Sequence, residues 1–348
     1  MKHTKSDLKQ MQSLPLSAKI IMTQRRIRDW YDYWDGQVYV SFSGGKDSTV
    51  LLHLVRDIYP DVEAVFVNTG LEYPEIQKFV KTFENVTILR SKMRFDDVIK
   101  TYGYPMISKE VSQRVHEWHS STNREYITRR WLDLNSDGSK KAAQYSIKKW
   151  APVRDCDFRI SHMCCNVMKK QPAKQYEKQT KKHPFFGTMA CESALRANAW
   201  TKNGCNAFDS KRPVSNPLSF WTEQDVLQYI KQYKIPIASV YGSVEYETEP
   251  EQYRMEDYGI DGGGTERLTT TGCYRTGCIF CGFGCHLDKE PSRFQRLKET
   301  HPRQYAYCMG GGEYGEDGIW RPSKNGLGMR HVFDELNRIY GEDFIKYE

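Results

Sequence analysis

Apolar residues recur along the first hundred positions of this chain in two alternating rhythms, one helical and one extended. From roughly Lys5 to Trp34 they stand at helical intervals (Leu16, Ile20, Ile21, Ile27, Trp30, Tyr31), which predicts one or two helices. Val38 to Phe42 is β-branched and aromatic, stops at a glycine pair and reads as a first strand. A helix from about Asp47 to Tyr59 follows, burying Val50, Leu51, Leu54, Val55 and Ile58. Val62 to Val67 is apolar on both faces, as a parallel strand covered by helices must be. The alternation continues with a helix over Pro74 to Phe83, a short strand over Val86 to Leu89 and a helix over Phe95 to Tyr102. This spacing predicts an α/β fold with a parallel, doubly wound sheet.

Farther along, Asn135 to Ser139 is a turn-forming loop inside otherwise helical sequence. Pro184 to Met189 reads as a fourth strand, and Thr222 announces a helix over Glu223 to Gln232 as its N-cap. From Glu245 to Asp261 the chain turns acidic, then passes through Gly262-Gly263-Gly264 into a cysteine-rich stretch. The expected organisation is an N-terminal helical segment (1–34), a nucleotide-binding α/β domain (35–244) with a basic helical insertion at about 109–160, and a cysteine-rich C-terminal region (245–348).

Composition narrows the class. A hydrophobic fraction of 39% belongs to an ordinary globular protein and excludes fibrous or wholly disordered chains. Met1 to Arg28 lacks the unbroken apolar run of a secretory signal, and no stretch approaches the roughly 20 apolar residues of a membrane span. The expected location is therefore the cytosol. Disulfide scaffolds are small and secreted, so the ten cysteines of this longer chain point to metal ligation or thiol chemistry. Between Lys109 and Lys182 stand 17 Lys/Arg and 8 Asp/Glu, a local excess of 9 that surpasses the whole chain's net charge of +7. Such a segment either follows a nucleic-acid backbone or is a solvated helical face.

The chemistry concentrates at two places. Ser41 lies in the first strand, whose end leads through Ser43-Gly44-Gly45-Lys46-Asp47-Ser48 into a helix. Two glycines let the backbone bend and let phosphate oxygens approach without meeting a Cβ, while the helix's first N–H groups and its dipole face an anion. Lys46 adds a cation, Ser43 and Ser48 add hydroxyls, and Asp47 serves as a cap. The Gly-x-x-x-x-Gly-Lys-Ser/Thr spacing of a Walker loop is absent. The second place is Cys273, Cys278, Cys281 and Cys285, at spacings of x4, x2 and x3 among glycines that let a chain fold around a metal. Zinc and an iron–sulfur cluster are both served by such thiolates. Cys156, Cys191, Cys205 and Cys308 read as ordinary small residues.

The Ser-Gly-Gly-x-Asp-Ser loop after strand one resembles that of the PP-loop ATP pyrophosphatases, of adenine nucleotide alpha hydrolase-like fold. Further segments resemble the phosphoadenosine phosphosulfate reductase-like branch: Val67-Asn68-Thr69-Gly70-Leu71-Glu72-Tyr73-Pro74-Glu75, His162-Met163-Cys164-Cys165 with Lys169, Lys170 and Pro172, Gly187 to Arg196, Asn216-Pro217-Leu218, and Trp221 to Val226 with Ile235-Pro236 and Tyr241. The likeness spans about Val38 to Cys285. It implies ATP or an adenylylsulfate-type nucleotide as ligand, with Mg²⁺ bridging its phosphates. Asn68, Thr69 and Gly70 would lie near the adenosine, and Gly187, Glu192 and Arg196 across the cleft. It favours a [4Fe–4S] cluster over zinc, held as in adenylylsulfate reductases by Cys164, Cys165, Cys278 and Cys281, or by the compact set Cys273, Cys278, Cys281 and Cys285. An unligated Cys164 or Cys165 is a candidate sulfur-carrying thiol, so Cys165 joins Lys46 as a candidate catalytic residue.

The reductases' Glu-Cys-Gly-Leu-His motif is not found, and Cys308 sits in a different context, Tyr307-Cys308-Met309. What remains resembles the ATP-pyrophosphatase component of DNA phosphorothioation systems. The expected function is adenylation in sulfur transfer, with nucleic acid as a possible acceptor and a cysteine desulfurase as a possible sulfur donor. The alternatives are a sulfonucleotide reductase, and a non-catalytic nucleic-acid-binding protein with a structural metal.

Overall fold

The computed structural model describes residues 3–142, 146–248 and 266–348. The glycine run at 262–264 and most of the acidic stretch before it lie outside the described residues. In chain order the strands are β1 (Val38–Ser41), β2 (Ala64–Asn68), β3 (Val86–Arg90), β4 (Met106–Ile107), β5 (His183–Phe186), β6 (Asn206–Ala207), β7 (Val214–Ser215), β8 (Val244–Thr248), β9 (Glu266–Thr270), β10 (Gly282–Phe283), β11 (Glu313–Tyr314) and β12 (Trp320–Arg321). The chain divides into two compact units. One comprises Met1–Asn68, Glu72–Leu89 and Ala173–Thr276, and the other Thr69–Leu71, Arg90–Pro172 and Gly277–Glu348.

The first unit is built on a six-stranded sheet of order β3-β2-β1-β5-β7-β6. β1 is its centre because it can be buried on both faces: Val38, Tyr39 and Val40 are all but inaccessible, and parallel neighbours flank it, with Val40 opposite both Ala64 and Phe185. Side chains alternate across a strand. Val38, Val40, Ala64 and Phe66 therefore join a core with Val50, Leu51, Leu54 and Val55 of helix Lys46–Arg56, Ile27 and Trp30 of helix Leu16–Tyr33, and Val226 and Ile230 of helix Glu223–Tyr233. Tyr39 and Val65 point the other way and pack on Tyr176 of helix Gln171–Thr180. Each such fully buried side chain contributes on the order of 1.5–3 kcal/mol.

The sheet is mixed rather than wholly parallel. β6 pairs antiparallel with β7 at the edge, in two strands of two residues each, too short to carry a periodic signal. The N-terminal segment is two helices, Lys5–Gln12 and Leu16–Tyr33, because Pro15 cannot continue the first and its extended backbone begins the second. Ile21, expected among the core-facing residues, is 67% exposed. Thr222 does cap helix Glu223–Tyr233, its hydroxyl accepting from Asp225 N while Asp225 accepts from Thr222 N.

The second unit is mainly helical. Helices Phe95–Tyr102, Lys109–Ser120 and Arg124–Trp131 precede the turn at Asn135, whose N–H donates to Ser139 at 2.8 Å. Beyond it the expected helical character continues only as 3₁₀ turns over Lys148–Asp155, a segment that holds Pro152. Met163–Cys165 enters a π-helical turn, Asn166–Lys170. β4 pairs in parallel with β10, bringing Met106 opposite Gly282. Helices Arg293–Thr300, Pro302–Met309 and Met329–Tyr340 complete this unit around Phe294, Leu297, Val332, Phe333 and Leu336. No helix among the described residues is long and apolar enough to cross a membrane.

One buried ion pair ties helix Leu16–Tyr33 to the helix that Thr222 caps. Lys19 Nζ lies 2.6 Å from Asp225 Oδ2 and 2.6 Å from the Gln12 carbonyl, and Lys19 is 2% exposed. Removing one partner of a buried pair strands the other charge. Lys19→Ala is expected to destabilise the protein by about 3 kcal/mol, read from the midpoint of urea denaturation, whereas Ile21→Ala at its exposed site should leave the midpoint nearly unchanged.

Candidate functional site

In a sheet of this order the chain leaves the carboxyl ends of β1 and β5 in opposite directions, which opens a crevice there. The segment after β1 is the glycine loop. Gly44 takes φ +71°, a left-handed conformation, and a Cβ there would come within 2.8 Å of both Ile76 and Val80 side chains. Serine hydroxyls then stitch the bend. Ser43 Oγ and Ser48 Oγ are 3.0 Å apart, Gly45 N donates to Ser43 Oγ at 3.3 Å, and Ser48 Oγ donates to the Gly45 carbonyl at 2.9 Å. Both hydroxyls thus shape the loop from within. Gly45, not Asp47, is the N-cap of helix Lys46–Arg56, and no side chain caps it.

Lys46 is 2% exposed, unusual for a lysine, and its surroundings explain how. Its Nζ lies 3.0 Å from Glu223 Oε1 and 3.5 Å from Asp47 Oδ1, and donates to the Tyr274 carbonyl at 3.3 Å. The rings of Tyr241 and Tyr274 stand 5.8 and 5.5 Å from it. Burial alone would lower its pKa, but Asp47 and Glu223 outweigh burial and raise it, so the ammonium stays charged. Asp47 Oδ1 and Glu223 Oε1 are buried and accept no hydrogen bond, leaving lone pairs aimed at the cation. Tyr241 braces the turn: its hydroxyl accepts from Lys46 N at 3.2 Å and lies 2.6 Å from Thr276 Oγ1.

The segment after β5 closes the other side. Gly187 rests against the first turn of helix Lys46–Arg56, where a Cβ would meet the Asp47 carbonyl oxygen at 3.0 Å. Thr188 Oγ1 donates to Asn216 Oδ1 at 2.6 Å. Glu192 accepts from Met189 N at 2.8 Å and pairs with both Arg196 and Arg275, the latter at 3.3 Å. Burial, with Arg275 beside it, lowers the Arg196 pKa against the pull of Asp47. Lys46, Arg196 and Arg275 thus stand near the helix N-terminus together with Asp47, Glu223 and Glu192, three cations interleaved with three carboxylates, and an anion that displaced the carboxylates would meet all three cations. Cys191, read from sequence as an ordinary residue, belongs to this group, its thiol 3.5 Å from the Trp221 carbonyl and within electrostatic reach of Arg275, Glu223 and Asp47. Glu223, Tyr274, Arg275 and Thr276 were not legible as site residues. The signal for the last three was a Tyr-Arg-Thr run set between Cys273 and Cys278, and for Glu223 its place in the Trp221 to Val226 segment.

Of the remaining expected residues, Ser41 ends β1 opposite Val65 and Phe186, and Asn68 ends β2. Thr69 and Gly70 fall in the second unit, where Thr69 Oγ1 accepts from Leu71 N at 3.2 Å and Gly70 has φ +74°. The Leu71 carbonyl accepts from Ile279 N at 2.8 Å, between Cys278 and Cys281.

In the second unit, Cys164, Cys165, Cys278 and Cys281 line one cavity with Leu71, Phe95, Pro105, Met168 and Lys169. Cys164 Sγ donates to Cys165 Sγ at 4.0 Å. That hydrogen bond, then Lys109, Lys169 and Lys170, draw the Cys165 thiol well below the usual thiol range against the effect of burial, while Cys164 is pushed up. Cys285 is buried outside this lining and its thiol is pushed up to about 12 by burial. Cys273 belongs to the first unit, its N–H on the Val240 carbonyl at 2.8 Å. Among the described residues, no three of His, Cys, Asp or Glu stand together as a coordination shell.

A phosphate loop at the switch point of a mostly parallel α/β sheet defines a nucleotide-handling class. Residues 37–124 and 111–282, well over half of the chain, match the phosphoadenosine phosphosulfate reductase domain. The chain belongs to this PP-loop family. It is 28% identical over 145 residues to an uncharacterized protein of Methanocaldococcus jannaschii, covering 38% of this chain and 33% of the relative's length. It is 21% identical over 212 residues to the adenosine 5′-phosphosulfate reductase of Bacillus cereus, covering 59% of this chain and 68% of the reductase. A crystal structure of phosphoadenylyl-sulfate reductase from Candida auris aligns over 76% of this chain and 97% of its own, at 14% identity and a TM-score of 0.36, too distant to argue from.

The close seat of Gly187 on the helix turn yields a test. Gly187→Ala must push backbone rather than a flexible side chain, so it should cost about 1–3 kcal/mol in urea denaturation. Gly277→Ala, whose Cβ would meet nothing within 4 Å, is the control that should not.

Proposed function

We propose that this protein is an ATP-dependent adenylating enzyme of sulfur transfer. The observation that carries this reading is the buried ammonium of Lys46 in the first turn of a helix that a left-handed glycine bend introduces. A polyphosphate seated there receives the amides around Gly44 and Gly45, the helix dipole and the Lys46 charge together. Arg196 and Arg275, each tethered by Glu192, would meet the same chain of phosphates. Ser41 and Asn68, at the ends of β1 and β2, would line the adenosine end.

In the adenylation step an acceptor oxygen attacks the α-phosphorus, the bond to the bridging oxygen breaks, and pyrophosphate leaves. Lys46 neutralises the charge that builds on the leaving group, in a site where burial makes each charge count for more than in water. Asp47 and Glu223, which hold the ammonium at rest, would release it toward the phosphates or share Mg²⁺ with them. The proposed thiol centre is Cys164, Cys165, Cys278 and Cys281. Four thiols on one cavity with apolar walls and no carboxylate suit a thiolate-bound group, and the lysines near Cys165 favour the ionised form that binds it. These residues would hold a [4Fe–4S] cluster, which supplies electron-transfer or sulfur-handling chemistry when bound. A cysteine desulfurase is the class of partner that would supply sulfur.

A sulfonucleotide reductase is the second reading, favoured by the curated relatives of that name. Against it, Cys308, the last cysteine in the sequence, is 0% exposed, its thiol on the Met329 sulfur at 3.3 Å, and burial pushes its pKa well up. A nucleophile needs access and a thiolate, and Cys308 has neither.

Anaerobic protein given ATP, acceptor and sulfur donor should release pyrophosphate, and Lys46→Ala should slow that release by roughly a hundredfold or more. Undiminished release in the variant, or sulfite formed from adenylylsulfate and a thiol without ATP turnover, overturns the adenylation reading. Metal analysis with visible and EPR spectra tests the thiol centre. Iron is expected in the native protein and in Cys273→Ser, and should be lost in Cys278→Ser and Cys281→Ser. A colourless protein holding zinc refutes the cluster.

A further inference from the structure

The second unit carries a cavity of about 240 Å³, at some distance in sequence from its thiols, between helix Phe95–Tyr102, helix Lys109–Ser120, Arg159 and the strand at Trp320. Its wall presents Lys100, His116, His119, Arg159 and Arg321, and no Asp or Glu. Arg321 is already neutralised by Asp317, at 2.5 and 2.6 Å. Arg159 instead faces His119, with Nη1 3.5 Å from Nε2, and no ion pair engages Arg159 or Lys100 among the described residues. Burial lowers the pKa of His116 and His119, so both serve as neutral imidazoles whose hydrogen bonds to the Tyr102 and Arg154 carbonyls fix their rings. The cavity therefore offers two uncompensated cations in a concave setting, which is the chemistry of a phosphate seat.

A second observation extends this seat into a surface. His119 is preceded by Trp118 on the last turn of the same helix. The Arg154 guanidinium lies 4.5 Å from the Trp118 ring and 4.7 Å from that of Trp131, and Arg124 lies 4.7 Å from Trp118. Next to them Arg129 and Arg130 lean on the exposed ring of Tyr126, at 5.8 and 5.5 Å. Arginine planes held flat on aromatic rings cost little entropy to bind with, and they meet both phosphates and bases. A small dianion would need the cavity alone, whereas a charged chain with planar side groups uses the cavity and the ledge together.

We infer that this face of the second unit binds a single-stranded nucleic acid, one phosphodiester seated at Lys100 and Arg159 and adjoining nucleotides on the Trp118–Arg154 ledge. Its role as the docking face for the acceptor rests on the proposed function. The binding does not, since it uses no residue of the phosphate loop.

The test is fluorescence anisotropy of the full-length protein with labelled single-stranded RNA and DNA oligonucleotides of about 16 nucleotides, titrated at several salt concentrations. Binding should weaken as salt rises. The double variant Lys100→Ala/Arg159→Ala should bind roughly tenfold more weakly and lose about 0.7 from the log–log salt slope, the share of the one phosphate contact removed from a single strand. Trp118→Ala should weaken binding by roughly tenfold with its slope unchanged, and Lys100→Arg/Arg159→Lys should restore most of the affinity. Thermal melting of each variant separates lost contacts from lost folding. Preference for RNA or for DNA identifies which backbone the face serves, and either supports the inference. Unchanged affinity and slope in the double variant overturn it, as does binding of inorganic phosphate with neither oligonucleotide bound. Lys46→Ala keeps the two proposals apart: it should slow pyrophosphate release as above and leave oligonucleotide binding intact, so a failure of one does not carry the other with it.

Discussion

A lysine ammonium buried at the positive end of a helix is the constraint around which the first unit is arranged. Both burial and the helix dipole oppose a charge there, so Lys46 persists only because compensation arrives from several parts of the chain. Glu223 comes from the start of a helix nearly two hundred residues on, the Tyr274 carbonyl and Thr276 from the segment beyond β9, and Asp47 from the loop itself. The electrostatic need of one side chain thereby fixes where two remote segments meet the loop. The hydroxyl of Tyr241, accepting from Lys46 N and bonded to Thr276, locks the same junction through neutral hydrogen bonds.

That dependence also explains what could be read from the sequence. β1, the glycine bend and helix Lys46–Arg56 were legible because local physics determines them: an apolar run, a residue type that tolerates φ +71°, and an apolar stripe at helical spacing. Thr222 was legible as a cap because its partner, Asp225, is three residues away. Glu223, next to it, looked like any acidic residue in a first helical turn. Its function is visible only once the fold sets it 3.0 Å from Lys46. The antiparallel edge at β6 and β7 and the pairing of β4 with β10 escaped for a different reason, since two residues hold no period.

The thiols repeat the lesson on a larger scale. Spacing alone allowed a compact set within the stretch Cys273 to Cys285, and equally a set that joins the Cys164-Cys165 pair to Cys278 and Cys281. In the structure the second four share a cavity, because parallel pairing of Met106–Ile107 with Gly282–Phe283 and the hydrogen bond from Ile279 to Leu71 draw the Cys278–Cys281 segment in. Cys273 remains with the other unit, its N–H on the Val240 carbonyl.

Charge distribution follows the same logic of competition between partners. The basic excess from Lys109 to Lys182 is not uniform: Arg114 is spent on Glu110 and Asp133, Lys182 on Glu63, and Arg130 in part on Glu117. What stays available is set by which cations the fold leaves without a carboxylate, and Arg124, Arg154 and Arg129, resting on Trp118, Trp131 and Tyr126, are held by ring faces, which leave a guanidinium's charge uncancelled. A count of Lys and Arg cannot distinguish the two groups, because pairing is a property of the fold. The glycine loop obeys the converse rule. Its one lysine is fully paired, so a polyphosphate seated as proposed would have to displace Asp47 and Glu223 to reach that charge.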